Sequence, residues 1–299
     1  MYAVYNQSMA THPENAYLDL LKHVLEKGTY HDDRTGTGVY SVFGYQIRMP
    51  IGVSFPLLTT KKVYWKGVVE ELLWFLRGQT DNKILQSNNV HIWDGNSSRE
   101  FLDKSGLNDY EEGDCGPIYS FQWKHFGANY ETCKSDYSEK GVDQITYILN
   151  EIKTNPNSRR IYMSAWNPCD LGKMCLPPCH VSCQFYVRSG RYLSCHMYMR
   201  SCDAFLGLPF NIASYSLLTY MLAAQAGLEP DELIISFGNL HIYSNHVEQV
   251  KEQLKREPMF WPTVKLADKN TWTMDTVKME DITLENYVSH GVIKAIMAV

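Results

Sequence analysis

Apolar and polar positions recur along the chain with two periods. Residues 15–28 carry Tyr17, Leu20, Leu21, Val24 and Leu25 at three- and four-residue spacing, a stripe that predicts a helix with Gly28 as its C-cap glycine. Residues 39–48 are rich in β-formers and read as a strand. Residues 65–77 read as a short apolar helix ending before Gly78; its Glu70 and Glu71 point about 100° apart, so at most one shares the stripe of Leu72 and Phe75. Residues 108–141 are polar and turn-rich apart from an aromatic island at 119–126. An amphipathic helix is expected over 142–153, then strands over 160–166 and 181–187. Arg188-Ser189-Gly190-Arg191 reads as a hairpin turn into a return strand over 192–199. Residues 210–226 are apolar enough for a central helix, followed by a strand over 232–243 and an amphipathic helix over 245–256. The order implies mixed α and β with antiparallel hairpins, in a single domain over 15–299 after a flexible N-terminal arm at 1–14.

Composition narrows the class without naming a function. A chain of 299 residues, 44% hydrophobic and 20% charged, suits an ordinary globular fold with a sizeable core. Its formal net charge of -5 offers no general attraction to nucleic acid or anionic membrane, so a phosphate must be met by local arginines. The eight cysteines contain no CxxC pair, so no metal site, redox motif or disulfide framework is expected. The polar N-terminus lacks an apolar leader core, and no apolar run reaches the roughly 20 residues of a membrane span. The expectation is a cytoplasmic protein.

Several segments carry candidate chemistry. In Leu176-Pro177-Pro178-Cys179-His180 two prolines fix the backbone, so Cys179 approaches a strand on a rigid path. A thiolate is a strong nucleophile where cations lower its pKa, whereas a buried cysteine is just a small hydrophobe. Arg200-Ser201-Cys202-Asp203 ends the return strand, and a guanidinium beside a hydroxyl suits a phosphate. Arg159 and Arg160 precede a strand, so one could reach a ligand while the other braces; both could equally be solvated. Asn211 has an amide that fits a pyrimidine edge or caps its own helix. His241 and Tyr243 share one face of a strand, as a sugar-hydroxyl site or as a packed pair.

No single segment decides a function, but together they resemble one family. Arg34-Thr35-Gly36-Thr37-Gly38, Glu71-Leu72-Leu73-Trp74-Phe75, Ile92-Trp93-Asp94, Gly116-Pro117-Ile118-Tyr119 and Arg159-Arg160 are similar to thymidylate synthase. So are Leu176 to His180, Arg200 to Asp203, Leu206-Gly207-Leu208-Pro209-Phe210-Asn211, His241-Ile242-Tyr243 and the final Met297-Ala298-Val299, all in the family's order. The chain departs from the common pattern at Met199 (often glutamine), Asn239 (often aspartate), Cys169 (often basic) and Ser120 (often glycine).

The resemblance implies an α+β thymidylate synthase-like fold, with a large mixed β-sheet at a homodimer interface packed by helices. It implies reductive methylation of dUMP to dTMP with 5,10-methylenetetrahydrofolate as co-substrate, yielding dihydrofolate. Cys179 would add to C6 of uracil, Asn211 would hold the N3/O4 edge, and Glu71 with Tyr119 would organise proton transfers. Arg34, Arg200 and Ser201 would grip the phosphate, joined by Arg159 and Arg160 from the other subunit. His241 and Tyr243 would hold the ribose, with His180, Cys202, Asp203 and Ile242 also lining the nucleotide. Trp93, Asp203, Leu206, Gly207, Phe210, Ala298 and Val299 would surround the folate. The alternative within the fold is a uracil-nucleotide hydroxymethylase, in which water replaces the hydride. Weak RNA binding is a secondary expectation.

Overall fold

The structure, a computed structural model, describes residues 12–297. The expected arm therefore lies, over residues 1–11, outside the described residues, as do Ala298 and Val299.

Six strands form one twisted sheet: β1 (Thr29–His31), β2 (Val39–Pro50), β3 (Tyr162–Ser164), β4 (His180–Arg188), β5 (Tyr192–Asp203) and β6 (Glu229–Tyr243). Their spatial order is β1-β2-β6-β5-β4-β3, and only β5 and β6 run parallel. The parallel pair needs a crossover, supplied by α8 (Gly207–Ala226), which packs on both strands. Helix α8 is buried around most of its surface, as its uniformly apolar sequence requires. It starts at Gly207 rather than at Phe210, because Pro209 sits in the first turn, where the backbone N–H it lacks would have no helical partner.

The pleat assigns opposite roles to the two faces of the sheet. In register across five strands, Met163, Cys183, Met197, Ile235 and Ile47 form a row inside the core. One residue along, Tyr162, Gln184, His196, Ile234 and Arg48 form a row on the open face. The hairpin between β4 and β5 closes through Ser189 and Gly190, both at positive φ (55° and 63°), as a primed turn requires.

Around the sheet lie α1 (Asn15–Lys27), α2 (Trp65–Leu76), α3 (Asn82–Ser87), α4 (Asp94–Ser97), α5 (Arg99–Lys104), α6 (Tyr119–His125), α7 (Gln144–Thr154) and α9 (Val247–Gln253). A separate ribbon pairs β7 (Thr263–Leu266) with β8 (Ile282–Glu285). Gly28 does cap α1, but in an extended conformation rather than the left-handed one. Its glycine identity comes from crowding: a Cβ there would stand 2.4 Å from the Val24 carbonyl oxygen.

Glu14 is fully buried at the entrance to α1. Its carboxylate accepts from the backbone N–H and hydroxyl of both Thr59 and Thr60 and from Trp261 Nε1, at 2.7–3.1 Å. That hub ties the first helix to the 58–63 loop and to the C-terminal region. Glu14→Gln should turn an amide N–H₂ toward these donors and destabilise the fold by about 2 kcal/mol. Thermal unfolding should register this as a Tm lower by about 4–8 °C; an unchanged Tm would remove the hub from the account of stability.

Candidate active site

Elements distant in sequence converge at the carboxyl ends of β5 and β6. Asp203, the last residue of β5, pairs with His241 near the end of β6. Cys179 immediately precedes β4, and its carbonyl accepts the Arg200 N–H at 2.9 Å. Ser244, just after β6, binds the loop before β2 through Gly38 O (2.9 Å) and Thr37 O (2.6 Å). The Asp33 carboxylate folds that loop by accepting from Thr35 N and Gly38 N, which brings Arg34 to the cluster.

Cys179 is held from two sides. Its backbone N–H donates to the Tyr119 hydroxyl at 2.6 Å. Arg200 donates from Nε to Pro178 O (2.7 Å) and from Nη2 to Pro177 O (2.9 Å), so it clamps the two prolines before the cysteine. Three guanidinium N–H groups remain for a ligand. Burial pushes the Cys179 thiol up, opposed by Arg200, the Tyr119 hydroxyl and Arg34. Burial prevails, so the two arginines oppose the rise without reversing it. Arg159 and Arg160 are not among the leading influences on this sulfur. They are exposed and border grooves with Tyr147, Glu151 and Gln184, on the open side of the sheet.

Beside the cysteine stands an aromatic wall. His180 stacks on Tyr119 with ring centroids 4.0 Å apart, and its Nδ1 lies 2.8 Å from the Tyr215 hydroxyl. Burial draws His180 down to about 3, so the ring is neutral and serves as a brace. Phe75 touches Tyr119, Trp93, Trp123 and His180. Glu71 projects from α2 toward this wall, where its Oε1 accepts from Trp93 Nε1 at 2.7 Å. Burial lifts the Glu71 carboxyl to about 7, against the pull of that indole N–H. A carboxyl that titrates near neutrality can both give and take a proton.

The remaining predicted residues divide by orientation. Asn211 lies in the second turn of α8, half-buried, and its amide makes no hydrogen bond among the described residues. Asp203 Oδ1 accepts from Phe205 N and Leu206 N, so it shapes the entry into α8 while Oδ2 makes no such bond among the described residues. Leu206, Gly207 and Phe210 are half-buried along that entry. Ser201 is half-buried near the end of β5. The side chains of Cys202 and Ile242 point into the core, which leaves only their main chain to a ligand. Tyr243, whose hydroxyl burial pushes up to about 12, packs edge-on against His241.

Lys61 was not singled out by its sequence. It is buried, donates to Phe205 O and lies 3.6 Å over the Phe205 ring. Burial draws its ammonium down to about 7 despite the charge of Asp203. Nothing local distinguishes it from Lys62. The C-terminal segment is also fastened beside the site: Arg256 Nη1 donates to Gly291 O (2.7 Å), and His246 Nε2 lies 2.8 Å from Ile296 O.

The family model for thymidylate synthase matches residues 15–299. The chain is 55% identical over 288 residues to thymidylate synthase of Herpesvirus ateles, covering 96% of this chain and 99% of that protein. It is 54% identical to thymidylate synthase of Homo sapiens over 96% of this chain and 91% of that one. Similarity extends to the bifunctional dihydrofolate reductase-thymidylate synthase of Paramecium tetraurelia, at 53% identity over 96% of this chain and 62% of the longer protein.

Proposed function

Because the chain belongs to the thymidylate synthase family, and so methylates dUMP to dTMP, we propose that Cys179 is the nucleophile and 5,10-methylenetetrahydrofolate the co-substrate. The observation that carries this reading is the setting of Cys179: its N–H rests on Tyr119 while Arg200 and Arg34 both act on its sulfur. Attack of that sulfur on C6 of the uracil ring pushes charge toward O4, where preplaced donors are needed. The Asn211 amide faces that edge, and Glu71, held by Trp93, relays protons at O4 and C5. The folate supplies a one-carbon unit and then a hydride. Arg34, Arg200 and Ser201 hold the phosphate. Asp203, Leu206, Gly207 and Phe210 border the folate together with Trp93; Ala298 and Val299, expected at the same pocket, lie outside the described residues.

The active form in this reading is a homodimer packed through the open sheet face. Tyr162 (48% exposed), Tyr186 (62%) and Tyr198 (41%) are large aromatic groups left in solvent there, which supports a covered face. Arg159 and Arg160 would then reach the phosphate of the facing subunit. A cytoplasmic setting agrees with eight free cysteines. The net charge of -5 lends no support to RNA binding.

The deciding assay supplies dUMP and methylenetetrahydrofolate and identifies both products. Formation of dTMP with an equal amount of dihydrofolate is expected. A hydroxymethylated nucleotide with tetrahydrofolate would overturn the reductive step. Asn211→Asp tests the edge-reading role, since a carboxylate cannot both donate and accept toward N3 and O4. Competition between dUMP and dCMP should move toward dCMP, with kcat/KM for dUMP falling roughly ten- to hundredfold. An unchanged preference would remove Asn211 from substrate choice.

A further inference from the structure

His241 has a neighbour whose chemistry defines what its ring can offer. The side-chain carbonyl oxygen of Asn239, two residues earlier on β6, lies 2.8 Å from His241 Nδ1. A carbonyl oxygen only accepts, so Nδ1 must carry a proton. Burial holds the ring below its ordinary pKa, against the pull of Asp203 and Asp33, so the imidazole is neutral and has one proton to place. With that proton on Nδ1, Nε2 is an acceptor. Tyr243, packed 5.2 Å away, keeps its proton and is a donor.

We propose that Asn239 is a positioning residue that selects the Nδ1–H tautomer of His241, so that His241 Nε2 and the Tyr243 O–H together match the donor and acceptor of one ribose 3'-hydroxyl. The inference rests on the reading of His241 and Tyr243 as the ribose site. It explains why a neutral amide suffices here: tautomer selection needs an acceptor oxygen and no charge. An aspartate at the same place would supply the oxygen and, in addition, favour the doubly protonated ring, whose Nε2 can no longer accept. The other titratable groups facing this ring are Asp203 on β5, Asp33 in the loop before β2, and Tyr243.

The test compares dUMP with 2',3'-dideoxyuridine 5'-monophosphate as substrates, in the full chain with methylenetetrahydrofolate. Wild type should prefer dUMP through KM. In Asn239→Leu, KM for dUMP should rise about five- to tenfold with kcat nearly kept, while KM for the dideoxy analogue stays put. Asn239→Asp should restore the preference at high pH and lose it progressively between roughly pH 8 and 6, as the ring takes its second proton. Wild-type discrimination that persists undiminished in Asn239→Leu would overturn the role of Asn239 alone. An Asn239→Asp preference that is flat with pH would do the same, even if the leucine variant failed to fold. Equal KM values for the two nucleotides in wild type would overturn the underlying ribose site itself.

Discussion

Cys179→Ala is expected to lower kcat by roughly ten-thousandfold or more while dUMP affinity stays within a few-fold of wild type. The two halves of that expectation come from different atoms. In the proposed mechanism turnover depends on the sulfur, the atom that bonds to C6. Affinity depends on the frame around it. Tyr119 receives the backbone N–H of residue 179, and Arg200 grips the carbonyls of Pro177 and Pro178. None of those three bonds involves the thiol, so alanine leaves the loop in place. The lost sulfur is a small half-buried volume, and repacking around it should cost little stability. Single-turnover formation of dTMP and calorimetric binding of dUMP measure the two quantities separately. Turnover above a tenth of wild type would take Cys179 out of the covalent step; loss of dUMP binding would show that the thiol is part of the frame.

The same frame explains which parts of the fold could be read from sequence. Strands β4 and β5 were legible because one face must be buried, and Cys183, Phe185, Val187, Cys195 and Met197 obey that period of two. Helix α8 was legible because residues apolar on every side have nowhere to go but the interior. The short helices α3 to α5 were not: four to six residues are too few to show a period, and isolated helices of that length do not nucleate. The ribbon β7–β8 is illegible for a similar reason, since four-residue strands carry two inward positions each. Gly28 is the C-cap that the pattern predicts, but the crowding against Val24 that requires a glycine there is invisible in a linear pattern.

The site was less legible than the core. Cys179 meets Tyr119 across 60 residues, and Lys61 meets Phe205 across 144. No local periodicity reports such pairs. The family's ordered motifs single out Cys179, Glu71 and Asn211, while none of those motifs includes Lys61. Arg159 and Arg160 mark another limit: they border exposed grooves on the open side of the sheet, and the phosphate contact proposed for them needs a second copy.

Glu71→Gln should separate stability from catalysis more sharply than any other change. Burial raises the Glu71 carboxyl from its ordinary value of 4.5 to about 7, so folding favours its protonated form. The stabilisation linked to that proton is complete below about pH 4.5 and is lost as pH rises through about 7. For a half-buried group it amounts to at most about 3 kcal/mol. Glutamine keeps the Oε1 that accepts from Trp93 and removes the titration. The variant should therefore lose the part of the decline in Tm between pH 5 and 9 that Glu71 causes, and above pH 8 it should be at least as stable as wild type. Its kcat should nonetheless fall roughly a hundred- to ten-thousandfold, because an amide cannot relay protons to O4 and C5. Melting curves across that pH range, with kcat at pH 7, decide the matter. Parallel Tm profiles for the two proteins would mean that Glu71 is charged in the folded state, and near-normal turnover would mean that another group moves the protons.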